Sequence, residues 1–317
     1  MNVTTLLLPF DGSPAAARAV ELLASYRAER SALTLHVFNV QARPIKLWPE
    51  AALDMHLVEA ALIESGRGTI KPAIERLAAT GMHVHSAVRL GFTAQTILSE
   101  ARRQKAEAIV MGTRGHGALQ GFALGSVALR VAHGGAAPLI LVKPDDRLPV
   151  NLGKQLRVLL AIDGSEPALH AAERLVTWRA WLGELEVHLV HVQEPLTWLE
   201  AVLPPHDDVI RQWSAAAGEA ATQAARALFT RAGIVHHLHL AAGDAPQEIA
   251  RLAGHTNAEL VALGTRGMGL AHHAFIGSVA LKTAALSPVP VMMAPWVPAP
   301  TRQNLTGPIV RLQPSTE

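Results

Sequence analysis

The 317-residue chain contains no cysteine, which excludes disulfides, thiolate metal sites and cysteine nucleophiles. It also lacks an uninterrupted apolar run of the roughly 18–20 residues that a membrane-spanning helix needs. Only one Tyr and six Phe are present, and 28 basic residues are balanced by 26 acidic ones. The composition therefore provides neither the aromatic residues nor the charge excess typical of nucleic-acid-binding proteins.

The first residues, MNVTTLLLPFDGS, lack the basic segment of a secretory leader, and Asp11 and Gly12 interrupt their short apolar run. Together with the absence of cysteine, this start predicts a cytoplasmic protein that does not bind membranes. A chain of this length is sufficient for two domains, each with its own core.

The sequence repeats itself once, at a constant offset of 152 residues that relates Asp11 to Asp163. LLLPFDGS matches VLLAIDGS, and LTLHVFNVQ matches LEVHLVHVQ. This offset is too long for a solenoid, whose repeats span about 20–50 residues, and instead indicates a duplicated domain. We therefore predict four segments: a first domain at 1–147, a linker at 148–155, a second domain at 156–297 and a flexible tail at 298–317.

Within each half, short apolar runs alternate with helical patterns. In the first half we predict strands near 4–10, 33–40, 82–89, 107–112 and 138–143, and helices near 14–28, 51–79, 93–104 and 125–134. Runs such as TLLLPF are continuously apolar, as strands covered on both faces require. The alternation predicts a parallel sheet with helices on both faces.

A glycine-rich stretch follows the fourth predicted strand of each half: GTRGHGALQGFALGSVA at 112–128 and GTRGMGLAHHAFIGSVA at 264–280. Both contain Gly-x2-Gly-x9-Gly-Ser. The loop leads from a strand end to a helix start, where free backbone N–H groups and the helix dipole favour an anion. Glycine lets the backbone approach a phosphate closely, so the pattern predicts a phosphate site. A loop that only turns the chain, with the serine as helix N-cap, remains an open alternative.

This loop, together with an Asp-Gly-Ser after the first strand and a valine near the end of the second, resembles the ATP-binding branch of the universal stress protein family. The resemblance covers both halves. For each half it implies an open five-stranded parallel sheet of strand order 3-2-1-4-5 with helices on both faces, the adenine nucleotide alpha hydrolase-like fold. In that order the first and fourth strands are neighbours, and ligands bind in the crevice at their carboxyl ends.

The resemblance implies twelve nucleotide-binding residues, six in each half. They are Asp11, Val40, Gly112, Gly115, Gly125 and Ser126 in the first half, and Asp163, Val192, Gly264, Gly267, Gly277 and Ser278 in the second. The valines would contact adenine, the aspartates adenine and ribose, and the first glycine of each loop the ribose. The later glycines and the serines would hold the phosphates of ATP, which would carry Mg²⁺ with them.

The implied function is that of a nucleotide-dependent binding or regulatory protein in the stress response, with a protein partner that the sequence does not identify. The alternative is a slow ATPase or an autophosphorylating enzyme that uses the same loops, with Arg114 and Arg266 as candidate cations. A scaffold whose loops bind nothing is a third reading. We predict no catalytic residue and no metal ligand.

Two histidine pairs, His83 with His85 and His237 with His239, have the i, i+2 spacing that can bind a metal. Since no third ligand is suitably spaced, we interpret them as a polar strand face near a sheet edge. A third histidine pair, His272-His273, lies in the second glycine-rich loop and indicates that the two sites differ. Trp48 and Trp198, in the connections after the second strands, are predicted to pack in the core.

The fifth predicted strands, PLILVK and PVPVMMAP, are apolar, and proteins rarely leave such strands bare at a sheet edge. In the family that the chain resembles, such edges pair domain to domain, so we expect the two strands to pair with each other within the chain, as an intrachain pseudo-dimer. A further homodimer stays open.

Overall fold

The computed structural model describes residues 4–26, 33–43, 54–115, 124–150, 152–193, 207–265 and 276–295. Several residues singled out in the sequence lie outside these ranges: Trp48, Trp198, Arg266, Gly267, His272, His273 and the predicted tail. In the described ranges, no helix is both long and apolar enough to cross a membrane.

The first half contains five strands and four helices, close to the predicted positions. They are β1 (Thr4–Pro9), α1 (Pro14–Ala24), β2 (Leu33–Gln41), α2 (Met55–Ala78), β3 (His83–Leu90), α3 (Thr93–Arg103), β4 (Ala108–Gly112), α4 (Ser126–Gly134) and β5 (Leu139–Val142).

The second half repeats this order of elements. They are β6 (Gln155–Ala161), α5 (Glu166–Leu182), β7 (Glu184–Gln193), α6 (Asp207–Ala232), β8 (Val235–Ala242), α7 (Ala245–His255), β9 (Leu260–Gly264), α8 (Ser278–Leu286) and β10 (Val291–Ala294). Because β6 begins at Gln155, the last residue of the predicted linker already belongs to a strand.

Each half has the predicted strand order, but the prediction of two separate sheets is corrected by the structure. All ten described strands form one sheet in the order β3-β2-β1-β4-β5-β10-β9-β6-β7-β8. The strands within each half are parallel. The fifth strands pair with each other, as expected for two apolar edges, and this pairing is antiparallel.

The central pair of strands has an approximate twofold symmetry. Ile140 is opposite Met292, its own counterpart at the offset of 152 residues, and Leu141 is opposite Val291. The interface is therefore the same surface used twice, as in an isologous dimer. β5 and β10 run in opposite directions. The carboxyl ends of the first five strands therefore lie at the same end of the sheet as the amino ends of the second five.

Helices cover both faces of the sheet, which explains why the strands are continuously apolar rather than alternating. Leu6 and Leu8 of β1 point into one apolar cluster together with Leu23 of α1, whereas Leu7 points into the other with Ile97 of α3. Each cluster contains buried residues from both halves, so the two repeats share their cores across the β5–β10 pair.

The segment after β5 is held against the end of α8 by the side chain of Lys143, which is also paired with a buried carboxylate. The Lys143 ammonium donates to the carbonyls of Ala285, at 3.2 Å, and Ser287, and lies 3.5 Å from the carboxylate of Asp146. The Asp146 side chain is 1% exposed and also accepts the Lys143 N–H at 2.8 Å. Burial raises the pKa of Asp146 to about 6, although Lys143 acts in the opposite direction.

Asp146→Asn should remove a pH dependence of stability. A carboxyl whose pKa is higher in the folded than in the unfolded chain holds its proton longer when folded, so stability falls as pH rises through the folded value. With a pKa moving from 3.8 to about 6, the wild type should lose about 1 kcal/mol between pH 5 and 7 through this group. Urea unfolding of both proteins at the two pH values measures the difference.

The matched control is Asp145→Asn, which removes the neighbouring exposed carboxylate. It should leave most of the pH dependence in place. Equal pH dependence in the wild type and Asp146→Asn would contradict the assignment.

Candidate functional site

A cavity of about 400 Å³ lies at the carboxyl ends of β1 and β4. These strands pair directly, with Leu6 opposite Ala108, while β2 lies beyond β1 and β5 lies beyond β4. The chain connections therefore leave the two strands in opposite directions and open a crevice between them, the usual ligand position in open α/β sheets. The cavity volume is within the range of small-molecule sites.

All six residues predicted for the first half line this single cavity. They are Asp11, Val40, Gly112, Gly115, Gly125 and Ser126. They come from the ends of three strands and the start of one helix, which are far apart in the sequence. The structure thus brings the predicted first-half set together at one cavity.

The turn after β1 is fixed to the loop after β4 by Ser13. Its N–H donates to Asp11 Oδ1 at 3.0 Å, and its hydroxyl donates to the carbonyl of Arg114 at 3.1 Å. The same hydroxyl accepts the N–H of Ala16 at 3.3 Å and so caps α1. One serine therefore holds the two motifs, Asp-Gly-Ser and Gly-x2-Gly, against each other.

Close approach requires a glycine at the first position of each motif. A Cβ on Gly112 would lie 2.7 Å from the backbone of Ala15 and Ala16 in α1, and a Cβ on Gly264 would lie 2.6 Å from the backbone of Pro167 in α5. A Cβ on Gly115 would lie 2.5 Å from Asp11 Oδ2, which is the end of a side chain that can move. The first glycine of each loop thus has a packing role against the first helix of its half.

The start of α4 corrects one detail of the sequence reading. The N-cap is Gly125, which has no side chain to offer, and Ser126 is the first helical residue. Among the described residues no side chain caps the first turn of α4, whose residues line the cavity, and an anion there would satisfy the free N–H groups. The Gly125 N–H itself donates to the carbonyl of Thr113 at 2.8 Å.

Thr113 adds a polar group that the sequence reading did not include. It lines the cavity and is 1% exposed. Within the described part of the chain, its hydroxyl oxygen has no hydrogen-bond partner. A buried hydroxyl normally finds a partner, so this one is a candidate to bond a ligand or an ordered water.

The rest of the cavity lining is largely apolar and was only partly predicted. Besides Val40, it contains Pro9, Phe10, Phe38, Ile97 and Met111. Phe38 lies two residues before Val40 on β2, so strand alternation alone would have placed it on the same face. Ile97 and Thr93 come from α3, and no local pattern indicates that this helix returns to the crevice.

The second half repeats the framework around its own crevice. The Ser165 N–H and hydroxyl both donate to Asp163 Oδ1, at 3.0 and 2.6 Å. Gly277 is the N-cap of α8 without a side-chain bond, and Ser278 is its first residue. The Gly277 N–H donates to the carbonyl of Thr265 at 2.8 Å, as its counterpart does in the first half.

The two halves differ at the residue that precedes Val40 in the first and Val192 in the second. In the first half, the Asn39 amide donates to the carbonyl of Phe10 at 2.8 Å. In the second half, the residue before Val192 is His191, whose Nδ1 lies 2.9 Å from the carbonyl of Ile162. An imidazole thus replaces an amide at the same point of the framework.

The histidine pairs lie away from both crevices, on the outer strands β3 and β8. His188 of β7 joins the second pair, with its Nδ1 2.9 Å from Nε2 of His239. Burial and the neighbouring His239 lower the pKa of His188. In the part of the chain that the structure describes, no three His, Asp or Glu side chains are grouped to hold a metal ion.

Comparison with known proteins places the chain in a family. The sequence model of the universal stress protein family matches residues 2–143 and 156–295, so the chain belongs to this family and contains two of its domains in tandem. A universal stress protein of Mycolicibacterium smegmatis is 27% identical over 270 residues, covering 81% of this chain and 85% of that protein.

Solved structures share the fold. A universal stress protein from Archaeoglobus fulgidus superposes with a TM-score of 0.64 at 22% identity, covering 93% of this chain and 97% of that one. A family member from Arabidopsis thaliana, 18% identical, was solved with AMP bound; it covers 44% of this chain and 91% of its own length, with a TM-score of 0.33.

Gly112→Ala should destabilise the first half by about 1–3 kcal/mol, because the added Cβ meets backbone atoms that cannot rotate away. The matched control is Gly68→Ala on the exposed side of α2, where a Cβ meets nothing within 4 Å. That change should stabilise the helix by about 0.5–1 kcal/mol. Chemical denaturation measures both, and a neutral Gly112→Ala would show that the close approach is not maintained.

Proposed function

We propose that the chain binds an adenine nucleotide, ATP with Mg²⁺ carried by its phosphates, in the cavity at the ends of β1 and β4. We further propose that it acts in the stress response as a nucleotide-dependent binding or regulatory protein. The main support is that all six first-half residues predicted to contact the nucleotide line one cavity. The repeated framework in the second half supports a second site of the same kind.

The division of the cavity suits the two ends of a nucleotide. Its apolar wall, which contains Phe38, Val40 and Ile97, can cover an adenine ring. Its polar wall offers the hydroxyl of Ser126, the buried hydroxyl of Thr113 and the first-turn N–H groups of α4. Hydroxyls and N–H groups donate to phosphate oxygens, and the N-terminal end of a helix dipole favours negative charge.

The energetics require contributions from both walls. Micromolar affinity corresponds to about 8 kcal/mol. A helix dipole contributes only about 0.3–1 kcal/mol, so burial of the base and several hydrogen bonds must provide most of the rest. Removal of one hydrogen bond to a charged phosphate is expected to weaken binding measurably, by about 1.5–3 kcal/mol.

Binding rather than turnover is proposed because of the charged groups around the cavity. Asp11 is the one carboxylate among the described lining residues, and its Oδ1 already accepts the Ser13 N–H. Arg114 lines the cavity and is exposed, which keeps the slow-ATPase alternative testable. Phosphoryl transfer needs a positioned base and metal ligands as well as such a cation.

Calorimetric titration of nucleotide-free protein with ATP and Mg²⁺ should give up to two sites per chain. Ser126→Ala should weaken one of them at least tenfold, since it removes a donor to a charged phosphate. Ser99→Ala, on the exposed side of α3, is the matched control and should bind like the wild type.

Two results would contradict the proposal. One is the absence of binding of any adenine nucleotide at millimolar concentration. The other is binding that Ser126→Ala leaves unchanged. Phosphate release measured in the same samples separates the functions: Mg²⁺-dependent release that Asp11→Ala abolishes would favour the ATPase.

A further inference from the structure

The two halves differ sharply at one position beside the crevice. Phe92, between β3 and α3, is 81% exposed and forms the N-cap of α3 without a side-chain hydrogen bond. The corresponding residue 152 positions later is Asp244. Its carboxylate caps α7 by accepting the N–H of Gln247 at 3.2 Å.

Folding alone does not account for Phe92. Aspartate is among the most favourable N-caps, whereas phenylalanine has no acceptor to offer the first-turn N–H groups. The phenyl ring is also excluded from both apolar clusters, although large aromatic rings are usually buried. The first half therefore lacks both a helix cap and the burial of an aromatic ring at a position where the second half has a regular cap.

The neighbours of Phe92 locate it at the cavity mouth. The N–H of Gly91 donates to the carbonyl of Gln41 at 2.9 Å, directly after the cavity residue Val40. Thr93, on its other side, lines the cavity. The backbone of Phe92 is thus fixed beside the cavity, between the end of β2 and the first lining residue of α3, and its ring is exposed to solvent there.

We propose that Phe92 stacks on the purine base of the nucleotide bound in the first half and is a specificity-determining residue of that site. This inference rests on the proposed function. Aromatic side chains stack on nucleobases through their faces, and a purine presents a larger face than a pyrimidine. The ring therefore gives the first site a higher affinity for purine nucleotides and a stronger preference for purine over pyrimidine.

The second site lacks this contact. Asp244 has no aromatic face, and its carboxylate adds negative charge beside an anionic ligand. The first site should therefore be the tighter of the two for ATP. The described chain thus contains a difference between the repeats that does not involve the histidines at 272 and 273.

Calorimetry of the full chain with ATP, and with CTP as the small-base probe, tests the inference. Phe92→Ala should weaken the tighter ATP site about tenfold, within the range of base–aromatic stacking, and CTP binding at that site clearly less. Phe92→Asp should weaken ATP binding equally or more while supplying the N-cap present in the second half, so its loss of affinity cannot be attributed to unfolding.

Leu57→Ala is the matched control, because Leu57 is another exposed apolar side chain, 69% exposed, on α2, which contributes no described residue to the cavity lining, whereas α3 contributes Thr93 and Ile97. It should bind ATP like the wild type. The same three variants are also made in a Ser278→Ala background, in which the second site is expected to be weakened. A loss of ATP affinity that persists in this background is assigned to the first half.

The outcomes separate this inference from the function on which it rests. No ATP binding by the wild type overturns both. ATP binding that Phe92→Ala and Phe92→Asp leave within twofold of the wild type overturns this inference alone. The same conclusion follows if ATP and CTP lose affinity equally, or if the effect disappears in the Ser278→Ala background.

Discussion

The antiparallel pairing of β5 with β10 is the interaction on which the architecture depends. Leu139–Val142 and Val291–Ala294 are both fully buried, and without each other each strand would leave a bare apolar edge on a five-stranded sheet. Their pairing turns two repeats into one ten-stranded sheet with apolar clusters that continue across the junction. The ends of the sheet are instead β3 and β8, whose side chains are mostly polar or partly exposed, as outer strands require.

The glycines of the first crevice differ in what surrounds them. Gly112 is required because the end of β4 touches the backbone of α1, whereas Gly115 lies next to the movable carboxylate of Asp11. A Cβ on Gly125 would lie 3.2 Å from the carbonyl of Thr113, and as the N-cap this glycine offers α4 no side-chain hydrogen bond. A repeated glycine motif is therefore in part the consequence of close backbone contacts between elements that are distant in the sequence.

Much of the fold could be read from the sequence because its signals are local. Continuous apolar runs such as TLLLPF mark strands covered on both faces, and the constant offset of 152 residues defines the duplication. The six first-half site residues converge because strand ends in a 3-2-1-4-5 sheet converge. Other features depend on longer-range geometry. Thr93 and Ile97 reach the cavity only because α3 packs beside it. The N-cap of α4 is Gly125 rather than Ser126 because the loop enters the helix one residue earlier. The pairing of the two apolar fifth strands could be predicted from the sequence, but the merging of the two sheets into one was not predicted.

The twofold relation at Ile140 and Met292 also determines which way the crevices face. The strands of the two halves run in opposite directions. The mouths of the two crevices, each at the carboxyl ends of its own strands, therefore open at opposite ends of the strands. Molecules bound at the two mouths would therefore lie far apart, at opposite ends of the strands, and could not contact each other.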